Sequence, residues 1–201
     1  APDYETQTSY SATVTVSDGT NTATQEITVN VTNVNDVAPE FTSNATFSAA
    51  ENQTAIGTVI ATDADRVAGD GIVYSISGSD ITINSSTGVI AFASAPDYET
   101  KTSYSATVTA SDGTNSTTQD ITVNVTDVNE APTFSSSASF SAAENQTAIG
   151  TVTATDADGD TVTFSVSGSE LAITSAGVLT FASAPDYETK TSYSATVTAS
   201  D

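Results

Sequence analysis

Apolar and polar side chains alternate along most of this chain, with an apolar residue at every second position in short runs. Such a period of two is typical of strands that bury one face, and no stretch of useful length has a helical period. Between residues 38 and 130 the runs lie near 41–47, 56–62, 72–76, 81–84, 89–92, 104–110 and 121–125. The pattern therefore predicts an all-β fold with seven strands in this part of the chain.

The strand pattern recurs because the sequence is built of repeats. The hexapeptide Ala-Pro-Asp-Tyr-Glu-Thr begins at Ala1, Ala95 and Ala184, and Thr-Asp-Ala-Asp begins at Thr62 and Thr155. A repeat of about 90 residues is close to the size of a seven-stranded sandwich. We predict tandem Greek-key β-sandwiches: the C-terminal part of one repeat in 1–37, a complete repeat in 38–130, and a repeat without its last strand in 131–201.

The two outer pieces are each incomplete as sandwiches. Residues 1–37 hold only the last two strands of a repeat, and residues 131–201 stop after the sixth. Unpaired strand edges recruit other chains. Two interpretations stay open: the chain is a window on a longer array, which we favour, or neighbouring molecules complete each other by strand exchange and form a self-assembling filament.

Composition narrows the kinds of partner. The chain has 25 acidic and 3 basic residues, a net charge of −22, and neither Cys nor His. Nucleic acids and anionic membrane surfaces are disfavoured because both need basic side chains. The sequence contains no run of about 18 apolar residues, so it predicts no membrane-spanning helix. Without Cys and His, thiol nucleophiles and Ser-His-Asp triads are excluded, and hard metal cations become the natural partners of the carboxylates.

The acidic residues gather at strand ends and turns. Asp97 and Glu99 are two positions apart, so a strand places them on one side, where they repel unless a cation lies between them. Antiparallel strands end alternately at the two poles of a sandwich. We therefore expect acids from distant parts of the sequence to meet at two linkers between repeats, linker one (33–41) and linker two (127–134).

The expected carboxylates divide between the linkers. At linker two we place Glu51, Asp97, Glu99, Asp127, Glu130, Asp156, Asp158 and Asp201. At linker one we place Asp3, Glu5, Asp36, Asp63, Asp65 and Asp112. Asp18, Glu144, Asp186 and Glu188 would serve further linkers. Seven other acids, including Asp80 and Glu170, are assigned to the solvated surface.

These motifs carry a family resemblance. The chain resembles tandem cadherin repeats of the bacterial surface-adhesin kind, in which a Glu before Asn, an Asp-Arg-Glu, an acidic Asn-rich linker ending in Pro, an Asp-Ala-Asp and an Asp after the sixth strand recur. Here Glu51, Asp97 with Glu99, residues 127–132, Asp156 with Asp158, and Asp201 occupy those places. The resemblance covers essentially the whole chain.

The resemblance implies about two to three Ca²⁺ ions at each linker. It adds ligands that are not carboxylates, namely the side chains or carbonyls of Asn33, Val34, Asn35, Gly69, Val128 and Asn129. Linker two is one residue shorter than the family pattern and has Glu130 in place of Asp, which puts its third ion in doubt. Linker one has Asn33 for an Asp and Val37 for an Asn, so we expect the weaker site there.

The implied function is mechanical. Calcium would clamp successive repeats of an extracellular surface protein or fibre, whose partners would be neighbouring or homophilic repeats, and a cell-surface glycan or protein is a further candidate partner. We expect no enzymatic activity, because the acids recur identically and the chain has no Trp and few large aromatics to bind a sugar substrate. A calcium-dependent polysaccharide-binding module is the alternative from another functional class.

Overall fold

A computed structural model describes residues 1–65 and 71–201. All regular secondary structure in those residues is β-strand. The predicted all-β class is therefore confirmed. No helix in the described part of the chain is long and apolar enough to cross a membrane. The chain divides into two compact units, unit 1 (Ala1–Asp127) and unit 2 (Val128–Asp201).

The strands of unit 1 are β1 (Ser9–Ser17), β2 (Thr22–Asn30), β3 (Glu40–Phe41), β4 (Thr46–Ala50), β5 (Ala55–Thr58), β6 (Ala61–Thr62), β7 (Val73–Ile76), β8 (Ile81–Ile83), β9 (Val89–Phe92), β10 (Ser103–Ser111) and β11 (Ser116–Thr126). Those of unit 2 are β12 (Thr133–Phe134), β13 (Ala148–Thr151), β14 (Ala154–Thr155), β15 (Thr163–Val166), β16 (Leu171–Ile173), β17 (Val178–Phe181) and β18 (Val197–Ser200).

From β3 onward, unit 1 forms a sandwich. One sheet has the order β4-β11-β10-β7, and the other side contains β5-β9-β8 and the short pair β3-β6. The β4–β11 pairing is parallel and the other pairings are antiparallel. Parallel strands that lie side by side need a crossover connection, and the chain between β4 and β11 passes through β5, β8 and β9 of the opposite sheet.

The core of this sandwich follows from the alternation. Along β11, Ile121, Val123 and Val125 are 1%, 0% and 5% exposed, while the residues between them face solvent. Val108 on β10 and Ile90 on β9 close the interior from the two sheets. Small β-branched side chains fill the space between the sheets, as expected for a Thr- and Val-rich sequence.

The first two predicted strands are each broken into two pieces. The run at 41–47 becomes β3 and β4, and the run at 56–62 becomes β5 and β6, with Ser43 and Ile60 at the breaks. The Ile60 N–H donates to the Ser43 hydroxyl at 3.0 Å, and the Ile60 carbonyl accepts the Thr42 N–H at 2.9 Å. The breaks let the first strand begin beside β6 in one sheet and end beside β11 in the other.

The β1–β2 hairpin of unit 1 has no covered face. Both strands are exposed at all nine positions, and Val16 and Val29 are 65% and 59% exposed. Its register nevertheless matches that of β10 and β11, since Ser9 lies opposite Asn30 as Ser103 lies opposite Asn124. The hairpin therefore has the fold of the last two strands of a repeat without a core beneath it.

Unit 2 repeats part of the sandwich. Its sheets are β13-β17-β16, β15-β18 and β12-β14. Residues 139–143, the counterpart of β4, and residues 192–196, the counterpart of the first half of β10, have no strand assignment. Val152 and Leu179 are buried, whereas Phe134 and Phe140 are 46% and 38% exposed, so this unit has a smaller core than unit 1.

Gly88 is required by a close approach of two backbones. Its φ is +71°, and a Cβ at this position would lie 2.2 Å from the carbonyl oxygen of Val59. The contact exists because the Val59 N–H donates to the Gly88 carbonyl at 2.9 Å. Gly177 is held in the same way against Val152 in unit 2.

We expect Gly88→Ala to destabilise unit 1 more than Gly78→Ala does. Both glycines have positive φ, but a Cβ at Gly78 meets nothing within 4 Å. Backbone strain of about 1–2 kcal/mol is common to both variants, and overpacking adds about 1–3 kcal/mol at Gly88 alone. Urea unfolding measures the free energy of unfolding of each variant. Equal values would show that the backbone beside β9 moves to accommodate the added methyl group without loss of stability.

Candidate metal centre

Carboxylates from three separate parts of the sequence meet at linker one, within unit 1. Glu5 precedes β1, Asp36 lies in the linker, and Asp65 follows β6. One carboxylate oxygen from each lies within 4.8 Å of the other two, and we call these residues the linker cluster. Asp65 is 3% exposed, so its charge is almost wholly removed from water.

Asp65 holds the linker in place. Its Oδ2 accepts the N–H of Asp36 at 2.8 Å and also the N–H of Val37, and its backbone carbonyl accepts the Asn33 side-chain amide at 2.8 Å. Its own N–H donates to Oδ1 of Asp63 at 2.9 Å. These bonds wrap residues 33–37 around the loop that follows β6, so the linker conformation depends on one buried carboxylate.

Three buried oxygens at this place accept no hydrogen bond from any residue that the structure describes. They are Oδ1 of Asp65, Oδ2 of Asp63 and Oδ1 of Asn33. A buried acceptor without a partner costs about 1–3 kcal/mol, and more when it is charged. A hard cation takes such oxygen ligands and offsets that cost. The donor set therefore fits Ca²⁺, and the same chemistry recurs in unit 2 at Oδ2 of Asp156 and Oδ1 of Asp158.

Neighbouring carboxylates crowd Glu5 and act on its pKa. A hydrogen bond from its own backbone N–H lowers the pKa of Glu5, but partial desolvation and the neighbouring carboxylates of Asp65 and Asp3 outweigh it. The pKa is therefore raised above its ordinary value of 4.5. Like charges produce this direction of shift, and a bound cation would reverse it.

Asn115 is a linker contact that the sequence patterns did not single out. Its side-chain amide donates to Oδ1 of Asn35 at 2.9 Å. Asp112 orients it: Oδ1 of Asp112 accepts the N–H of Asn115 at 2.6 Å and that of Thr114 at 2.7 Å. Desolvation raises the pKa of Asp112, but these bonds outweigh it and the pKa is lowered. The only sequence signal for this contact was the position of Asn115 at the end of an Asp-Gly-Thr-Asn turn.

Several predicted ligands have local hydrogen bonds instead of a place in an acidic cluster. Asp3 accepts the Thr6 hydroxyl at 2.8 Å and the Glu5 N–H at 3.1 Å, which together lower its pKa, and Asp97 accepts the Thr100 N–H at 3.0 Å. These bonds close the turn before the sixth strand. Gly69 lies outside the described residues, and Val34 is 65% exposed.

The opposite pole of the complete repeat carries a second cluster in unit 1. One carboxylate oxygen from each of Glu51, Glu99 and Asp127 lies within 4.8 Å of the others, and we call these residues the pole cluster. Glu51 is 3% exposed, and its Oε2 accepts the N–H of Tyr98 at 2.8 Å. The predicted convergence of Glu51, Glu99 and Asp127 from three distant positions is therefore present in the fold.

Unit 2 contains corresponding contacts. Oδ2 of Asp158 accepts the N–H of Glu130 at 2.7 Å, as Asp65 accepts that of Asp36, and the Asn129 amide donates to Oδ2 of Asp201 at 2.5 Å. Val128 is 42% exposed.

Unit 2 also has a terminal cluster, in which oxygens of Glu144, Asp186 and Glu188 lie within 4.8 Å of one another. It corresponds to Glu51, Asp97 and Glu99 in the complete repeat. Oε2 of Glu144 accepts the N–H of Tyr187 at 3.2 Å, as Glu51 accepts that of Tyr98. The two repeats therefore share the contact between the first Glu and the Tyr N–H, but the cluster of unit 2 contains Asp186, whereas that of unit 1 contains Asp127 in place of Asp97.

Comparison with known proteins identifies relatives of this chain. Residues 45–126 match the family described as Cadherin domain. The chain is 34% identical over 200 residues to the human cadherin EGF LAG seven-pass G-type receptor 2, which covers 90% of this chain and 7% of the receptor. It is 37% identical over 153 residues to the protocadherin-like wing polarity protein stan of Drosophila melanogaster, covering 67% of this chain and 4% of that protein.

Solved structures with the same fold include mouse cadherin-23 EC22-24, with 28% identity, a TM-score of 0.56, and coverage of 98% of this chain and 71% of that one. Protocadherin gammaB7 EC3-6, described as a cis-dimer structure, has 26% identity, a TM-score of 0.61, and coverage of 92% and 54%. Cadherin domains are adhesion modules and not enzymes, which confirms that expectation. The bacterial origin stays a prediction.

We expect Asp65→Asn to lower the pKa of Glu5 in protein kept in chelator, because one of the like charges that raise it is removed. Carboxyl-carbon NMR titration measures the midpoint. Asp18 is the internal control, since hydrogen bonds from the backbone N–H groups of Asn21 and Thr20 lower its pKa and it lies outside the clusters. An unchanged Glu5 midpoint would contradict the crowding.

The sign of the linked stability follows from the raised pKa. Folded protein binds this proton more tightly than unfolded protein does, so Glu5 contributes stability that is fully present below about 4.5, the unfolded value. That contribution is lost as pH rises through the folded pKa. Asp65→Asn should diminish this loss in metal-free protein.

Proposed function

This chain is made of cadherin-type repeats, and from that premise we propose that it is a calcium-stiffened segment of an extracellular adhesion protein or surface fibre. Calcium would clamp successive repeats at linker one and linker two. The repeat boundaries 1–37, 38–130 and 131–201 are part of the proposal. The chain spans only 4% and 7% of the two curated relatives compared above, so its role within a whole protein is proposed as well.

The observation that carries the proposal is the set of buried oxygens at linker one that receive no hydrogen bond from the described residues. Asp65 Oδ1, Asp63 Oδ2 and Asn33 Oδ1 come from a linker and from the repeat after it, and Glu5 brings a carboxylate from the hairpin before it. A cation bound by all of them would tie the hairpin, the linker and the sandwich together. This supports a clamp more directly than net charge does.

The type of ligand favours Ca²⁺ among common cations. The oxygens belong to carboxylates and an amide, and they come from loops, which suits the variable coordination of 6–8 ligands that Ca²⁺ accepts. Mg²⁺ needs a stricter octahedron, and Zn²⁺ prefers His and Cys, which the chain lacks. Extracellular sites of this type work at millimolar calcium. We propose about two to three ions at each linker.

Stiffness follows from the electrostatics. Without a cation, the like charges of the linker cluster favour separation of the loops that carry them. With a cation, the linker's ordering entropy is offset by binding, and the bound state gains stability in proportion to the logarithm of calcium concentration. Neighbouring repeats of one array, or repeats of another copy, are the proposed partners, and the cis-dimer described for protocadherin gammaB7 supports the second kind.

We expect removal of calcium to lower the melting temperature. At free calcium 100 times the dissociation constant, one site adds about 2.7 kcal/mol, which for a chain of this size is about 5–10 °C. Glu5→Gln should weaken the linker-one class of sites about tenfold, which is about 1.4 kcal/mol. Calorimetric titration measures the affinity.

Glu26→Gln is the matched control, because it removes the same charge from the exposed face of β2, outside the acidic clusters. It should bind calcium as the wild type does. Equal weakening by both variants would show that calcium responds to net charge alone, and equal melting temperatures in calcium and chelator would remove the clamp.

We expect small-angle scattering to show an extended, rigid particle in millimolar calcium and a more flexible chain in chelator. Glu99→Ala removes a carboxylate of the pole cluster and should raise the calcium concentration needed for the rigid form. A scattering profile that does not change with chelator would contradict the mechanical role. Wild-type behaviour of Glu99→Ala would remove that residue from the ligand set.

A further inference from the structure

Linker one has two halves with different chemistry. One half, which we call the acid half, consists of the linker cluster together with Asp63 and Asn33. Its buried oxygens on Asp65, Asp63 and Asn33 receive no hydrogen bond from the described residues. The other half, which we call the amide half, consists of Asn35, Val37, Asp112 and Asn115. There the protein itself supplies the hydrogen-bond donor, so the two halves differ in their need for a cation.

Four oxygens surround the side-chain nitrogen of Asn115. Oδ1 of Asn35 lies 2.9 Å from it, and the backbone carbonyl oxygen of Asn35 lies 3.5 Å from it. The carbonyl oxygen of Val37 and Oδ2 of Asp112 both lie 3.4 Å from it. An amide nitrogen has two N–H bonds, so these four acceptors share two donors. Amide, backbone and carboxylate oxygens are also the ligand types that Ca²⁺ takes.

The distances at the amide half fit an amide nitrogen and not an ion. N–H···O hydrogen bonds have N···O distances of about 2.7–3.2 Å, whereas Ca²⁺ binds oxygen at about 2.3–2.6 Å. A cation bound to these four oxygens would collide with the N–H bonds of Asn115 that point at them. A reversed amide would place its own oxygen among four acceptors, so the hydrogen-bond network fixes its orientation.

Local hydrogen bonds hold Asn115 in this position. Its backbone N–H donates to Oδ1 of Asp112 at 2.6 Å, and its carbonyl accepts the Ser111 hydroxyl at 3.0 Å. The Asp112 N–H donates to the same carbonyl at 3.2 Å. Because these bonds close the turn on itself, the side-chain amide reaches the linker with little further loss of conformational entropy.

Charge explains why an amide suffices at one half. In the linker cluster, oxygens of three carboxylates lie within 4.8 Å of one another, and Asp63 adjoins them through the Asp65 N–H. At the amide half, the one carboxylate in contact with the Asn115 amide among the described residues is Asp112, whose Oδ1 already accepts two backbone N–H groups. Neutral donors stabilise a single carboxylate, whereas several converging carboxylates need a cation.

We propose that the Asn115 side-chain amide takes the place of a calcium ion at the amide half of linker one. The acid half binds calcium, and the amide half is closed by hydrogen bonds with or without the metal. This inference rests on the proposed clamp, and it places linker one at the lower end of the range of ions proposed for each linker. Residues 35–37 should therefore stay attached to the turn at residues 112–115 in chelator.

The first test needs no variant. Side-chain amide protons held in hydrogen bonds exchange slowly with solvent, and NMR follows them residue by residue. In wild-type protein in chelator, those of Asn115 should exchange about tenfold more slowly than those of Asn21, the exposed residue at the same place in the turn after β1. Calcium should not accelerate the exchange. Exchange as fast as that of Asn21 in either condition would overturn the proposal, because the amide would then be free or displaced by an ion.

The second test opens the amide half to calcium. Asn115→Asp replaces the donor nitrogen by an oxygen, so two carboxylates and the oxygens of Asn35 and Val37 can share an ion. Native mass spectrometry in calcium should count about one more ion per chain than in the wild type. In chelator this variant should melt below the wild type, because the hydrogen-bonded closure is lost and a like charge lies beside Asp112.

Asn21→Asp is the matched control, because it makes the same charge change at the same place in a turn that belongs to none of the acidic clusters of the described residues. It should bind as many ions as the wild type does. Equal ion counts for the wild type and Asn115→Asp would overturn the proposal, and so would an extra ion in both variants.

Failure of the clamp gives a different result. A wild-type chain that binds no calcium would contradict the clamp, but an ion gained by Asn115→Asp alone would still support the replacement of an ion by the amide. A wild-type chain that binds calcium, together with an unchanged count in Asn115→Asp, would leave the clamp intact and remove this inference. If Asn115→Asp does not fold, the exchange rates of the wild-type amide protons decide the proposal.

Discussion

A carboxylate that leaves water needs compensation, and Asp65 is the residue on which this requirement falls most heavily. Its side chain is 3% exposed, and only one of its two oxygens receives hydrogen bonds from the described residues. An uncompensated buried carboxylate costs several kcal/mol. A positive charge at the other oxygen would therefore remove this free-energy cost and stabilise the conformation of linker one.

The chain itself has little positive charge to offer. Lys101 pairs with Asp80 at 2.8 Å and stacks over Tyr104, and Lys190 pairs with Glu170 at 2.5 Å. These ion pairs are half exposed and lie apart from the acidic clusters, so each contributes little. They also show that Asp80 and Glu170, assigned from sequence to the solvated surface, have partners. No basic side chain among the described residues pairs with an acidic cluster, so a cation from solution would make the order of the linkers depend on the medium.

The sequence predicted the sandwich well and the site less completely, for different physical reasons. Alternation reveals which side chains are buried, so β10 and β11 were identified with their inward residues. It does not show which strand pairs with which, so the breaks between β3 and β4 and between β5 and β6 were not foreseen. Spacing placed Glu51, Glu99 and Asp127 at one pole, but it could not tell a ligand from a turn-forming acid such as Asp97. Asn115 was passed over because its role depends on a contact with Asn35, 80 residues away.

Near-identity of the repeats has a structural cost. The apolar faces of β2 and β11 carry the same residues, with Ile27 and Val29 matching Ile121 and Val123, so these side chains do not distinguish the last strand of one repeat from that of another. Covalent connection favours the correct strand through its effective concentration, which is in the millimolar range for short flexible links. The copies differ most in their loops: the segment after Asp158 is three residues shorter than that after Asp65, and linker two is one residue shorter than linker one. Since these loops carry the proposed ligands, the metal sites of the repeats differ in geometry even where their strands are nearly identical.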